Sequence, residues 1–115
     1  MKLTLYQKPT CTTCRAVYAV LKESGIDFEA VNYYVDPIPK AKLKELLKKM
    51  GISARELLRT REPLYKKLKL DRKVLSESEL IDLMVRHPDL LQRPIVERGK
   101  RAILARPAGR IREIL

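Results

Sequence analysis

The sequence predicts a mixed α/β fold: a strand–helix–strand unit and a later pair of strands that share one sheet, with a helical segment inserted between them. Three observations support this. Apolar and polar residues alternate over residues 2–6, and a run rich in aromatic and β-branched residues covers 28–35, with helical spacing between them. Residues 37–90 show helical spacing and two capping motifs. Residues 95–105 are typical of two strands joined by a tight turn.

The first helix is predicted over Thr13–Ser24, after a loop that contains Pro9. Val17, Val20 and Leu21 are expected on its buried face, and Gly25 is placed to end it. Because two strands joined by so short a helical connection pair in parallel, Lys2–Tyr6 and Phe28–Val35 are expected to form a right-handed βαβ unit.

The middle segment is predicted to be helical and basic. Pro39 suits a first helical position and Gly51 a helix end, with a buried stripe between them. The stripe contains Leu43, Leu46, Leu47 and Met50. Ser53–Glu56 and Ser76–Glu79 have the pattern of capping boxes. The first opens a short helix through Leu58, and the second opens a helix that His87-Pro88 ends.

The last segment predicts an antiparallel hairpin, Ile95–Glu97 with Arg101–Ala105, and a closing helix over Gly109–Leu115. The resulting order, βαβ, helices, then ββα, is that of a thioredoxin-like sheet with an all-helical insertion at about residues 37–90. A chain of 115 residues fits one compact domain, so a single domain over residues 1–115 is expected.

Composition excludes several classes of protein. The longest apolar run, Ala16–Leu21, is far shorter than a membrane span, and the first residues lack a signal peptide, so a cytoplasmic protein without membrane association is expected. Two cysteines cannot form the disulfide framework of a small secreted protein. With one histidine they cannot complete a four-ligand zinc site within one chain, so no metal is predicted.

The net charge of +11 is concentrated in the middle of the chain. Residues 36–75 hold thirteen basic and five acidic residues, a net of +8. A segment with this positive charge attracts nucleic acid, an acidic protein partner or a small oxyanion. The lysines of the segment also fit the solvent-exposed face of a helix. Nucleic-acid binding is the least supported of these partners, because the chain lacks basic residues interleaved with aromatics and has no recognisable nucleic-acid motif.

Cys11 and Cys14 form a Cys-x-x-Cys pair between the first strand and the first helix. Unpaired N–H groups at a helix start stabilise an anion, so Cys11 is predicted to be a thiolate near neutral pH. Cys14, one turn into the helix, is expected to be more buried. It is either a second redox thiol that attacks an adduct on Cys11 or an ordinary core residue.

Three arginines lie at the edges of predicted elements: Arg59, Arg93 and Arg106. Their planar, permanently charged guanidinium groups match pairs of oxyanion oxygens, which makes them candidates to bind an anion beside Cys11. Arg61 competes with Arg59 for this role, and each could instead be a solvated surface residue. By analogy with thioredoxin-like sheets, Pro94 is expected to face the cysteine loop across a cis peptide bond.

Four blocks of residues together resemble the ArsC/Spx family, which includes glutaredoxin-coupled arsenate reductases and the regulator Spx. The similarity runs nearly from end to end, with matching spacing between the blocks. They are Tyr6-x-x-Pro9-x-Cys11-x-x-Cys14-Arg15; Met50-Gly51-Ile52-Ser53-x-Arg55-x-Leu57-Leu58-Arg59; His87-Pro88-x-Leu90-Leu91-x-Arg93-Pro94-Ile95-Val96; and Ala105-Arg106-Pro107.

The resemblance implies a thioredoxin-like fold and an arsenate reductase. In such a reductase Cys11 would attack arsenate or a related oxyanion held by Arg59, Arg93 and Arg106. Glutathione would act as co-substrate and glutaredoxin as electron donor, and no bound cofactor or metal is implied. The guanidinium groups would both lower the pKa of the thiol and neutralise the substrate.

Two residues depart from the reductase pattern. Cys14 matches Spx, and it would allow an internal disulfide in place of glutathione, or reduction by thioredoxin. Lys8 stands where the reductases have a neutral polar residue, and it adds positive charge near Cys11. The alternative function is therefore an Spx-like redox-sensing regulator that binds RNA polymerase through a Cys11–Cys14 switch; Arg61 matches Spx, whereas Ser53 does not. Thr12 either caps the helix or offers its hydroxyl to an anion.

Overall fold

The computed structural model describes residues 2–115, and no helix in that range is long and apolar enough to cross a membrane. The described chain forms two compact units, one of residues 2–37 and 93–115, the other Ile38–Gln92. The second unit agrees with the helical insertion predicted at about residues 37–90. The expectation that residues 1–115 make one domain stays a prediction.

The first unit is a four-stranded sheet with the strand order β2-β1-β3-β4. β1 (Leu3–Gln7) pairs in parallel with β2 (Phe28–Asn32) and antiparallel with β3 (Ile95–Arg98), and β3 pairs antiparallel with β4 (Arg101–Leu104). The predicted βαβ unit and hairpin are thus confirmed, and the sheet is thioredoxin-like. The carboxyl end of β1 is followed at once by the loop that carries Cys11.

One face of this sheet is covered by α1 (Thr12–Ser24) and by a 3₁₀ helix over Ala108–Glu113. Their buried side chains form one apolar cluster with the strands, which fixes α1 against β1. Its members are Leu3, Leu5, Val17, Leu21, Val96, Ile103, Ala105, Ile111 and Ile114. Gly25 ends α1 at φ 72°, a left-handed conformation that glycine adopts without strain.

Three local predictions about this unit are wrong. Val20 is exposed, because Val17 and Leu21, one turn apart, take the buried face of α1. β2 ends at Asn32 and not at Val35, since the side chain and carbonyl of Asn32 accept the N–H groups of residues 34, 35 and 36 and turn the chain. The predicted closing helix over Gly109–Leu115 is the 3₁₀ helix at Ala108–Glu113.

The second unit is helical throughout. It contains α2 (Lys40–Met50), α3 (Ala54–Leu57), α4 (Pro63–Lys67), α5 (Glu77–Arg86) and a 3₁₀ turn at Pro88–Leu90. Both capping boxes are present, and Gly51 ends α2 at φ 70° as predicted. Pro39 is the residue before α2, not its first helical residue. α4 was not predicted, although Pro63 at its first position is a signal for it.

Replacing Ser76 with alanine is expected to lower the free energy of unfolding by about 1 kcal/mol. The Ser76 hydroxyl accepts the N–H of Glu79 at 3.1 Å, and the Glu79 carboxylate accepts the N–H of Ser76 in return. Urea unfolding measures the change. Ser78→Ala is the matched control on the same helix, because among residues 2–115 only Lys40 donates a hydrogen bond to that exposed hydroxyl. Equal losses in the two variants would contradict the capping role.

Candidate active site

Cys11 is the residue that immediately precedes α1. Its backbone is extended (φ −78°, ψ 129°), its N–H donates to the carbonyl of Lys8 at 2.9 Å, and its carbonyl accepts the N–H of Arg15. The side chain is partly exposed and the thiol is free. The predicted position at a helix start is therefore confirmed, and the sulfur is both accessible and close to unpaired helix N–H groups.

The surroundings of Cys11 favour its thiolate. Partial burial raises the pKa of the thiol, but this is outweighed by the N–H and thiol of Cys14, the guanidinium of Arg93 and the N–H of Thr13. Together they lower the pKa of Cys11 to about 7. About half of the thiol is thus ionised at neutral pH, whereas an unperturbed cysteine ionises near 8.5.

Cys14 has the opposite character. It is fully buried within the first turn of α1, and burial raises its pKa to about 12 even though the backbone of Lys8 and the guanidinium of Arg93 oppose the shift. The neighbouring Cys11 contributes to the same increase. Cys14 is thus a protonated thiol that donates a hydrogen bond to the Cys11 thiolate. This position is compatible with both predictions for Cys14, a second redox thiol that attacks an adduct on Cys11 and an ordinary residue of the core.

Arg93 lies at the end of the loop before β3 and is 4% exposed. Its Nη1 lies 3.4 Å from the hydroxyl of Tyr34. Its guanidinium also favours the ionised forms of Tyr33 and Cys11, since it opposes the rise in the pKa of Tyr33 and lowers the pKa of Cys11. Although burial lowers the pKa of Arg93, the tyrosine hydroxyls and the Cys11 thiol raise it, so the group stays charged. A charged guanidinium beside Cys11 favours negative charge on its sulfur. The Arg93–Pro94 bond is cis, as predicted, and Pro94 is buried.

Arg106 joins the same group of residues from the end of β4. Its Nη1 donates to the Oγ1 of Thr13 at 3.2 Å and to the carbonyl of Arg93 at 3.3 Å. The first contact reaches the first turn of α1 and the second reaches the start of β3. Arg106 itself is exposed, so the remaining N–H groups of its fork face solvent beside Cys11's helix start.

The other predicted residues are placed as follows. Thr12, the first residue of α1, is exposed, and Lys8 has its Nζ 5.1 Å from the centre of the Tyr34 ring. Arg59 and Arg61 belong to the helical unit. Arg59 forms an ion pair with Glu62 at 3.2 Å, and Arg61 is exposed. The predicted roles of these two arginines in anion binding stay predictions.

The sequence did not predict that Tyr33 and Tyr34 interact with Arg93. Tyr33 and Tyr34 were expected as strand residues, but they lie in the turn after β2 with their rings 5.2 Å apart. Burial raises the pKa of Tyr33, which is 2% exposed. A signal was available: Tyr33 and Tyr34 follow β2, and β2 is parallel to β1, so both strands end at the same edge of the sheet as Cys11.

The arrangement is suited to nucleophilic attack on an anion. It offers a thiolate, two guanidinium groups and the N–H groups of a helix start, all of which favour negative charge at one place. In residues 2–115 no group of three or more His, Cys, Asp and Glu residues is placed to hold a metal ion.

Comparison with known proteins gives a consistent result. Residues 6–114 match the ArsC family. An arsenate reductase of Neisseria meningitidis serogroup A is 36% identical over 115 residues, which cover 99% of this chain and 98% of that protein. A global transcriptional regulator Spx of Lactiplantibacillus plantarum is 34% identical, covering 96% of this chain and 84% of Spx. The solved structure of an arsenate reductase from Vibrio cholerae superposes with a TM-score of 0.94 at 34% identity, covering 100% and 98% of the two chains.

Proposed function

Because this chain belongs to the ArsC family, we propose that it is a thiol-dependent arsenate reductase in which Cys11 is the nucleophile. The observation that carries the proposal is the low pKa of Cys11, about 7, beside the buried guanidinium of Arg93. Relatives named arsenate reductase over nearly the whole chain support the substrate class.

The reaction begins with arsenate held by the guanidinium groups of Arg93 and Arg106. The Cys11 thiolate attacks arsenic, a sulfur–arsenic bond forms, and one oxygen leaves as water after taking up protons. A second thiol then attacks the Cys11 sulfur. The two thiols become a disulfide, arsenic gains the two electrons and arsenite leaves. The second thiol is that of glutathione, with glutaredoxin reducing the mixed disulfide, or that of Cys14, with thioredoxin reducing the internal one.

Arsenite formation tests the proposal. Purified protein is supplied with arsenate and either glutathione plus glutaredoxin or thioredoxin with its reductase, and arsenite is quantified. Steady turnover with one of these donors is the expected result. No turnover with any of them, at arsenate well above millimolar concentration, would remove the enzymatic assignment.

The rate of Cys11 alkylation by iodoacetamide is expected to rise with pH, with a midpoint near 7, and to level off above pH 8. The sign follows from the direction of the shift: a lowered pKa places the thiolate at lower pH, whereas an ordinary cysteine would still gain reactivity at pH 9. In Cys14→Ala the midpoint is expected to rise, because the hydrogen bond from the Cys14 thiol to the thiolate is lost. A wild-type midpoint near 8.5 would contradict the proposed activation.

A second function is favoured by the Cys11–Cys14 pair and by the match to Spx. In it, oxidation of the pair changes a surface that binds RNA polymerase. The test is recovery of the polymerase by tagged protein under reducing and oxidising conditions. Recovery that depends on the redox state, together with the absence of arsenite formation, would favour the regulator. Recovery under neither condition would exclude it.

A further inference from the structure

A groove lies on one side of the cysteine loop, between α1 and β2. It has a volume of about 490 Å³, and its lining comes from two strand ends, the loop and the first turns of α1. The lining residues are Gln7, Pro9, Arg15, Tyr18, Ala30 and Asn32. Gln7 and Asn32 are the last residues of β1 and β2 and are paired in register. Pro9 is two residues before Cys11, and Arg15 directly follows Cys14, so the groove begins beside the reactive pair.

The groove has polar groups that the described chain leaves available for a ligand. Gln7 is 7% exposed, and its side-chain amide makes no hydrogen bond with any residue from 2 to 115. The amide is therefore free to bond to a ligand that enters the groove. Asn32 uses its Oδ1 for the N–H of Tyr34 at 3.0 Å, which leaves its NH₂ group for another acceptor.

The charge of the groove comes from Arg15. Its guanidinium is exposed and forms no ion pair with the described residues, and no acidic residue is among those that line the groove. The apolar part of the lining is Pro9, Ala30 and Tyr18, whose ring packs edge-on against Phe28 at 5.5 Å. The groove therefore combines two amides for peptide groups, one guanidinium for a carboxylate and a small apolar wall.

We propose that this groove binds the small peptidyl thiol, carrying a free carboxylate, that reduces the adduct on Cys11. The inference rests on the proposed function and adds the place where the co-substrate is held. Arg15 binds its C-terminal carboxylate, and Gln7 and Asn32 bind its peptide groups. The thiol end of the ligand is then directed along the loop toward Cys11.

Binding is tested with S-methylglutathione, which cannot react with either cysteine, by titration calorimetry with the wild-type protein. Arg15→Gln is expected to weaken binding at least about 10-fold, the loss expected for one charge-assisted hydrogen bond. Ala30→Trp, which fills the groove without changing charge, is expected to abolish binding. Arg112→Gln is the matched control, since it removes the same charge from an exposed residue outside the groove.

A ligand change completes the test. Esterification of the glycine carboxylate is expected to weaken binding to the wild type as much as Arg15→Gln does, and to have no further effect in Arg15→Gln. Undetectable binding, or binding that Arg15→Gln and Arg112→Gln weaken equally, would overturn the inference. Arsenite formation is measured on the same samples with glutathione and with thioredoxin. Arsenite formation without specific S-methylglutathione binding would overturn the groove as the binding site and leave the reductase assignment standing. Specific binding without arsenite formation would overturn only the reductase assignment.

Discussion

The Cys11→Ser variant is expected to lose arsenate reduction by at least about 1,000-fold. Serine preserves the size of the side chain, but its hydroxyl is not ionised in the neutral range, so the same helix start and guanidinium groups have no anion to stabilise. The measurement is arsenite released per minute with whichever thiol donor supports the wild type. Circular dichroism and thermal unfolding should be unchanged, because Cys11 is partly exposed and outside the apolar core.

Cys14→Ala is the informative companion to this variant. Its Cys11 should still form the arsenic adduct in a single turnover, which mass spectrometry of the intact protein detects. If Cys14 is the second thiol, steady turnover is lost; if glutathione is, turnover persists. Cys11→Ser protein that keeps more than a tenth of the wild-type rate would contradict the assignment of the nucleophile, whatever Cys14→Ala does.

The second large effect is expected from Arg93→Gln. Removal of the guanidinium should weaken arsenate binding about 10- to 100-fold, which corresponds to about 1.5–3 kcal/mol for a charged hydrogen bond. It should also raise the midpoint of Cys11 alkylation, because Arg93 is one of the groups that lower the pKa of this thiol. Weaker arsenate binding together with a higher pKa of Cys11 would show that Arg93 acts through its charge, and not only by supporting the fold.

Arg93→Lys and Arg98→Gln complete this experiment. Lysine keeps the charge but loses the planar fork, so it should restore the low thiol pKa better than it restores arsenate binding. Arg98, on β3, donates to the carbonyl of Ile114 away from Cys11, and its loss should leave both quantities unchanged. An unchanged alkylation profile in Arg93→Gln would contradict the electrostatic role.

The local elements of the fold could be predicted because their signals are short-range. Gly25, Gly51 and the two serine caps act within one turn of the helices that they end or begin, and those predictions are confirmed. The closing 3₁₀ helix was predicted as an α-helix because buried residues three apart, Ile111 and Ile114, fit both helix types. The end of β2 depends on the side chain of Asn32, a local signal that the β-branched run obscured.

The candidate site was predictable only in part, because its residues come together through strand pairing. The Cys-x-x-Cys pair at a strand–helix junction predicts Cys11 as the nucleophile, and its predicted place at the helix start is confirmed. The meeting of Arg93 with Arg106 depends on β3 and β4 being antiparallel neighbours, and no spacing in the sequence encodes their 3.3 Å contact. Thr13 and Tyr34, which hold these arginines, carry no sequence signal of that role beyond their place at the same sheet edge.

The unequal acidities of the two thiols impose an order of events. While Cys11 is an anion, its charge and its hydrogen bond help to keep the proton on Cys14, so the buried sulfur is a poor attacker and the resting pair resists premature closure. In the proposed reaction the Cys11 sulfur loses its own negative charge when it bonds to arsenic, so its influence on Cys14 weakens and the proton of Cys14 becomes easier to remove. Formation of the adduct on Cys11 would thereby favour the later attack by Cys14, so the difference in thiol pKa would set the order of the two steps.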